Sequence, residues 1–374
     1  MQFLACLVGR QNTSYRKSSA LAEFEQIKRH SISSFCAARY KISWSFFRKL
    51  LHLSSNLIID KLSYRYLWNG RLIYSIDGTR LNLPNELKAS KYKGSNKNCF
   101  YPQGMLTTLV LLKANIPCHF VFSRKMSELA SVDKHLTHVK PGGIVVYDRL
   151  YFTTNTLRSH LSQGVDGVFR LKTKTTLKEA VNFIESGEQE RIDIIKRENL
   201  EIKIRFLKYR IGKNEYYLAT TLTDIKKYSR SALKGLYHKR WGIEESYKHV
   251  KRECSIEEFH SKKPQGIKQE IAISFILATL NQYLILDSGR KKRTSKGVSN
   301  FLINHIIYKI WTKTGVVRKK LIHKYIIAHL AQRCQSPPGR SFIRRSKKVI
   351  NRWQRNIAGE YDKKKRLEKR TIQA

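Results

Sequence analysis

Tyr237, Arg240, Glu244 and Lys251 lie in the stretch YHKRWGIEESYKHVK at spacings of i, i+3, i+7 and i+14. At about 100° per residue, an α-helix would place this phenol, guanidinium, carboxylate and ammonium on one narrow stripe, spread over roughly 21 Å at about 1.5 Å per residue. A carboxylate can hold a divalent metal ion, while basic groups and a phenol can hold phosphates. Such a face suits an enzyme that cuts or joins DNA. The competing reading is a solvated helix face on which Arg240 and Glu244 form an i, i+4 ion pair.

Two further acids have contexts that match this chemistry. Asp77 stands in SIDGT and Asp148 in VVYDRLYF, and each is expected at the end of a buried strand. Ends of neighbouring strands bring distant residues together, so both aspartates are expected beside a helix-borne Glu244. Three carboxylates meeting there can hold two divalent ions about 3.5–4 Å apart. Hard oxygen ligands favour Mg²⁺, with Mn²⁺ as a substitute. An Asp after a strand can also simply turn the chain or cap a helix, which is the rival role for Asp77 and Asp148. Glu245 and Glu253 are the decoys for Glu244; Glu245 would point about 100° further round the helix, off the basic stripe.

The elements that must position these residues are readable in outline. Residues 16–65 have apolar positions at helical spacing, with Ser43 a candidate cap for a helix through Leu53, and form a basic helical region suited to DNA binding or to packing alone. Strands are expected at Arg71–Asp77, Leu106–Lys113 and Cys118–Phe122, the last two joined by the turn Ala114–Pro117. A helix over 126–138 then precedes the short strand Ile144–Tyr147, and Gly167–Lys172 forms another strand. Ile192–Ile195, Glu201–Tyr209 and Tyr216–Thr221 read as strands of a β-rich insertion over 173–232. An apolar helix, Ile271–Leu286, closes this part, and a basic helical tail carries RRSKK and KKKR. The pattern implies an α/β fold, a mixed sheet with helices packed on it. The expected divisions are 1–65, 66–172, 173–232, 233–290 and 291–374, with the second and fourth forming one catalytic domain.

Lys and Arg number 73 against 28 Asp and Glu, a formal charge of +45, spread along the whole chain. Self-repulsion on that scale calls for a polyanionic partner, and nucleic acid leads over an anionic membrane surface. Six scattered cysteines without a CxxC pair suggest reduced thiols in a cytoplasmic protein, with neither a disulfide frame nor a zinc site. The start, MQFLACLVGR, lacks the basic region and length of a signal peptide, and no apolar run reaches about 18 residues, so no membrane span is expected. GSNKN at 94–98 lacks the Gly-Lys-Ser pattern of a phosphate-binding loop, so no nucleotide cofactor is expected.

Taken together, the set resembles the insertion-sequence-four family of bacterial DDE transposases. That family's signature is Tyr, two residues, Arg, three residues, Glu, six residues, Lys, and Tyr237, Arg240, Glu244 and Lys251 fit every position. Asp77 in IDGT and Asp148 in DRLYF are similar to its two Asp contexts, as is FRLK at 169–172 to its next strand; the likeness covers about 72–285. The resemblance implies a ribonuclease-H-like fold with a β insertion, and Asp77, Asp148 and Glu244 as catalytic, metal-binding acids. Tyr237, Arg240 and Lys251 would bind DNA phosphates. It also implies a homodimer on paired element ends, strand transfer into target DNA, and a bacterial, nucleoid-associated protein. Members with a hairpin intermediate stack an insertion-domain Trp on a flipped base. No Trp lies within 173–232 here, which leaves Tyr216 or Tyr217 as substitutes. A non-enzymatic DNA-binding relic and a metal-dependent nuclease without strand transfer are the alternative classes.

Overall fold

The computed structural model describes residues 4, 7–8, 14–24, 31–94, 99, 101–172, 177–198, 200–244, 247, 256–287 and 315–322. Lys251 and nearly all of the basic tail lie outside the described residues. The strands are β1 (Ile73–Asn82), β2 (Gln103–Leu111), β3 (Ile116–Ser123), β4 (Ile144–Tyr147), β5 (Asp166–Arg170), β6 (Glu190–Arg197), β7 (Leu200–Ile211) and β8 (Asn214–Thr220). The helices are α1 (Tyr15–Phe24), α2 (Ile32–Lys41), α3 (Trp44–Leu62), α4 (Val132–Leu136), α5 (Thr154–Gln163), α6 (Lys178–Ser186), α7 (Arg230–His238), α8 (Pro264–Asp287) and α9 (Gly315–Ile322).

All eight strands join one sheet in the order β3-β2-β1-β4-β5-β8-β7-β6. β1 runs antiparallel to β2 and β2 to β3, whereas β1–β4 and β4–β5 are parallel. Three antiparallel strands followed by two parallel ones, flanked by helices, make the fold ribonuclease-H-like α/β. The central strand β4 is buried at all four positions, as a strand covered on both faces must be. β6, β7 and β8 continue the same sheet through antiparallel pairing of β8 with β5.

Alternation along the strands sorts the two faces. Tyr74, Ile76, Val145, Tyr147 and Phe169 pack with Leu136 of α4, Leu157 of α5 and Phe183 of α6. Ile73, Val146, Val168 and Leu218 pack with Leu233, Leu236 and Tyr237 of α7. Since successive side chains point to opposite faces, Asp77 follows Ile73 and Ser75 onto the α7 side. A further cluster joins Leu81, Leu106, Phe120 and Phe122 to Phe47 and Leu51 of α3 and Ile271 and Phe275 of α8.

The early helices are tied to the rest of the molecule. The buried Arg39 of α2 donates to Glu270 Oε1 at 2.7 Å, to Gln269 Oε1 at 2.9 Å and to the Gly266 carbonyl at 2.8 Å, all on α8. A charge pair this deep needs every hydrogen bond it has, because removing one partner strands the other in low dielectric.

Several elements differ from the sequence reading. β1 runs on to Asn82 because β2 pairs with it through Asn82↔Gln103, so Asp77 sits within a strand and not at its end. Pro117 belongs to β3, an edge strand where a missing N–H costs least, and the β2–β3 register shifts between Leu109 and Val110. The helix expected over 126–138 shortens to a 3₁₀ turn, Leu129–Ser131, and α4. The helix expected to end at Leu53 runs on to Leu62.

Candidate active site

Asp77 and Asp148 come together through strand register. β1 and β4 pair in parallel with Ser75 beside Val146, so the same register carried two residues further sets Asp148 beside Asp77. Neighbouring strands lie about 4.8 Å apart, which makes the two carboxylates direct neighbours on the α7 side. Asp148 is the first residue past β4, and the Tyr151 amide donates to its carbonyl to turn the chain. Burial pushes the Asp77 carboxyl up to about 7. The Gly78 amide and Arg240 oppose that rise, and the negative charges of Glu128 and Asp148 add to it.

Tyr237 and Arg240 reach this pair from above the sheet. Tyr237 is the penultimate residue of α7, whose start is capped by the Ser229 hydroxyl accepting from the Ala232 amide. The continuous helix expected from Tyr237 onward is interrupted. Arg240 and Gly242 donate to carbonyls three residues back, at Tyr237 and Lys239, and α-helix resumes at 241. The tighter turn keeps Arg240 buried, with Asp148, Glu244 and Asp77 favouring its charge against the cost of desolvation. Arg240 Nη2 donates to Glu244 Oε1 at 2.9 Å. The ion pair of the plainer reading therefore exists, but it stands beside two aspartates and not on an open helix face.

Among the described residues, no three His, Cys, Asp or Glu side chains are arranged to hold a metal ion. The Glu244 carboxylate is held by the Arg240 guanidinium instead. Asp77 and Asp148 nevertheless suit a hard cation, because they are two adjacent acids under α7 with only oxygen donors. The Tyr237 hydroxyl and Arg240 Nε are buried and make no well-formed hydrogen bond among the described residues, although the two side chains face each other and the guanidinium favours the phenolate. Each such orphan costs about 1–3 kcal/mol, a cost that an acceptor such as a phosphate oxygen would relieve.

Three residues at the site were not singled out by the sequence. Glu128, in the loop before α4, lies against Gly78: a Cβ built there would stand 2.3 Å from Glu128 Cγ. Tyr151 is buried and donates to Glu128 Oε2 at 2.9 Å, which explains the tyrosine of DRLYF. Tyr247 donates to the Asp77 carbonyl at 2.5 Å. Glu128 left no sequence signal, since it falls in the stretch 126–138 that reads as helix and belongs to no motif. Beside Asp148 opens a cleft of about 470 Å³ lined by Arg149, Arg170, Lys172, Tyr216 and Tyr217 among others. Tyr217 is largely buried, whereas Tyr216 stacks on Tyr209 at 5.4 Å with the Arg170 guanidinium 5.0 Å from its ring centre.

The family model described as a transposase DDE domain matches residues 68–280, a span that contains every described residue of this site. Among solved structures the chain is similar to the cryo-EM structure of the piggyBac transposase synaptic complex with hairpin DNA. That likeness has 8% identity and a TM-score of 0.42, and covers 72% of this chain and 59% of that one. No curated protein matches the sequence. None of the helices among the described residues is long and apolar enough to cross a membrane.

Proposed function

The chain belongs to the transposase DDE-domain family, and on that footing we propose that it is an insertion-sequence transposase of the insertion-sequence-four group. It would cut phosphodiesters at the element's ends and join the freed strands to target DNA. The observation that carries this reading is the register that sets Asp148 beside Asp77, with Arg240 against both. Asp77, Asp148 and Glu244 would hold Mg²⁺, or Mn²⁺ in its place, as two ions. When bound, such an ion polarises the scissile phosphodiester, lowers the pKa of the attacking water and stabilises the leaving 3′ oxygen.

The chain's own groups supply the rest. The Tyr237 hydroxyl and Arg240 Nε, buried side by side with donor capacity to spare, would donate to oxygens of the end phosphate and fix its orientation. Lys251 adds a second phosphate contact from beyond the described residues. Release of Glu244 from Arg240 frees a carboxylate for the cation and a guanidinium for the phosphate. In the first step water attacks phosphorus and the 3′ oxygen leaves as the hydroxyl. In the second that hydroxyl attacks a target phosphodiester, and the target's own 3′ oxygen leaves. The basic cleft beside Asp148 offers Arg149, Arg170 and Lys172 to the strand that follows, with Tyr216 as its aromatic wall. A homodimer on two paired ends is the expected assembly, in the bacterial cytoplasm on nucleoid DNA.

The test is Mg²⁺-dependent cleavage of a DNA fragment carrying the gene's flanking regions, with Glu244→Gln beside the wild type. We expect a cut at one discrete flanking position that is lost in the variant, with DNA binding kept. Cleavage by Glu244→Gln at the wild-type rate would sink the assignment. The Arg240–Glu244 pair favours one second reading, a metal-independent DNA-binding protein. Binding with no cut in Mg²⁺ or Mn²⁺ would establish that one, and a cut without joining would leave a nuclease.

A further inference from the structure

Glu128 is the acid that no motif points to, and its surroundings are unusual for a carboxylate at a loop. Its side chain lies flat against Gly78, the residue after Asp77; Cγ, Cδ and Oε1 would all fall within 2.8 Å of a Cβ at that position. Glycine at 78 is thus what allows this acid to approach β1. Its Oε2 accepts from the buried Tyr151 hydroxyl at 2.9 Å, which fixes the carboxylate from the far side. Tyr151 is itself held near the site by the turn at Asp148, whose carbonyl accepts from the Tyr151 amide at 3.2 Å. Among the described residues, no Lys, Arg or His makes an ion pair with Glu128. Its negative charge acts on Asp77 ahead of that of Asp148. A glycine and a buried phenol thus place one more negative charge near Asp77, where it adds to the repulsion that Arg240 opposes and that a bound cation would relieve.

We propose that Glu128 is a metal-facing carboxylate of this site, positioned by Tyr151 and admitted by Gly78, which shares the divalent cation with Asp77. The inference rests on the reading of Asp77 and Asp148 as metal-holding acids. In the arrangement seen, Glu244 is paired with Arg240, so Glu128 supplies the negative charge that attracts the cation before Glu244 is released. A group that only braced the loop would not need the close approach to Gly78.

The experiment is calorimetric titration of the full chain with Mn²⁺, alongside thermal melting without metal, for wild type, Glu128→Gln, Tyr151→Phe and Asp77→Asn. Gln keeps the shape and still accepts from Tyr151, so only the charge changes. We expect Glu128→Gln to melt higher than wild type without metal and to bind Mn²⁺ about tenfold more weakly, with Tyr151→Phe weakened to a lesser degree. A purely structural Glu128 gives the opposite pair of signs: a lower melting temperature and unchanged Mn²⁺ affinity. That result, with Asp77→Asn losing the ion, overturns the inference and leaves the site intact. Wild-type Mn²⁺ affinity in Asp77→Asn overturns both, since the ion is then held elsewhere. If Glu128→Gln does not fold, wild-type affinity in Tyr151→Phe is itself decisive against the proposal.

Discussion

Arg240 is the residue on which the site turns. It is buried, it pairs with Glu244, and its charge is favoured by Asp148 and Asp77. Without a cation bound, this guanidinium is what offsets the adjacent carboxylates. Arg240→Ala should therefore lower the melting temperature of the metal-free protein, since the loss of one partner leaves buried charge uncompensated at a cost of about 3 kcal/mol. Mn²⁺ should recover part of that loss and raise the variant's melting temperature more than the wild type's, because the ion takes over the missing positive charge. Equal Mn²⁺-induced rises in the two proteins would show that Arg240 does not serve the carboxylates. Arg240→Lys keeps a charge but loses the planar fork, so it should recover stability better than it recovers binding of a phosphate at the DNA end. Arg240 stood out in the sequence by its spacing, Asp77 and Asp148 by following apolar strands, and the fold brings the charges of all three together. The Glu244–Arg240 contact was legible only as the plainer alternative, and Glu128 was not legible at all. Its two anchors, Gly78 and Tyr151, lie 50 residues before it and 23 after it, and only the sheet brings them together.

At the scale of elements, strand β4 was the clearest segment to read, since four consecutive apolar residues ending in Asp148 admit few other placements. In the sequence β1 ends at Asp77 because Gly78 looks like a break. Pairing with all of β2 overrides that local signal. The turn at 239–240 was missed for the converse reason: HKRW favours helix locally, and burial of Arg240 against the sheet decides the matter. One element contact carries a pH dependence. Where α3, β3 and the end of α4 meet, His119 stacks on His138 at 3.9 Å, His138 meets His52 at 4.5 Å, and His119 Nδ1 lies 3.0 Å from His135 Nδ1. Burial holds His135 down to about 3 and His138 to about 4, with neighbouring charge adding to both, and pushes His119 lower still. An unfolded histidine titrates near 6.5, so below that pH the unfolded chain binds more protons than the folded one. The stabilisation is complete above about pH 6.5 and is lost as pH falls toward 4 and 3. Melting temperature should drop steadily from pH 6.5 to pH 4, and His138→Phe should flatten the slope by removing one of the depressed groups. An unchanged slope in that variant would show that the cluster is not what titrates.

Across the whole molecule, an excess of 45 positive charges has to be reconciled with a stable fold. The described core does this partly by pairing: Arg39, Arg205 and Arg240 sit inside, each with a carboxylate. The remaining cations are spread over the chain, and each one held against a DNA phosphate releases a counterion. Binding of DNA should accordingly weaken linearly in a plot of log affinity against log salt, with a slope of about −0.9 for each phosphate contacted. Lys251 provides the sharpest test, since the family resemblance that singles it out implies one phosphate for it to hold. Lys251→Ala should weaken binding of the element end and make the salt slope shallower by about one unit. Binding of unrelated DNA, carried by cations elsewhere on the chain, should keep its own slope. A slope unchanged on both DNAs would remove Lys251 from the interface. A slope lowered equally on both would assign it to general attraction, leaving Tyr237 and Arg240 as the groups that hold the end.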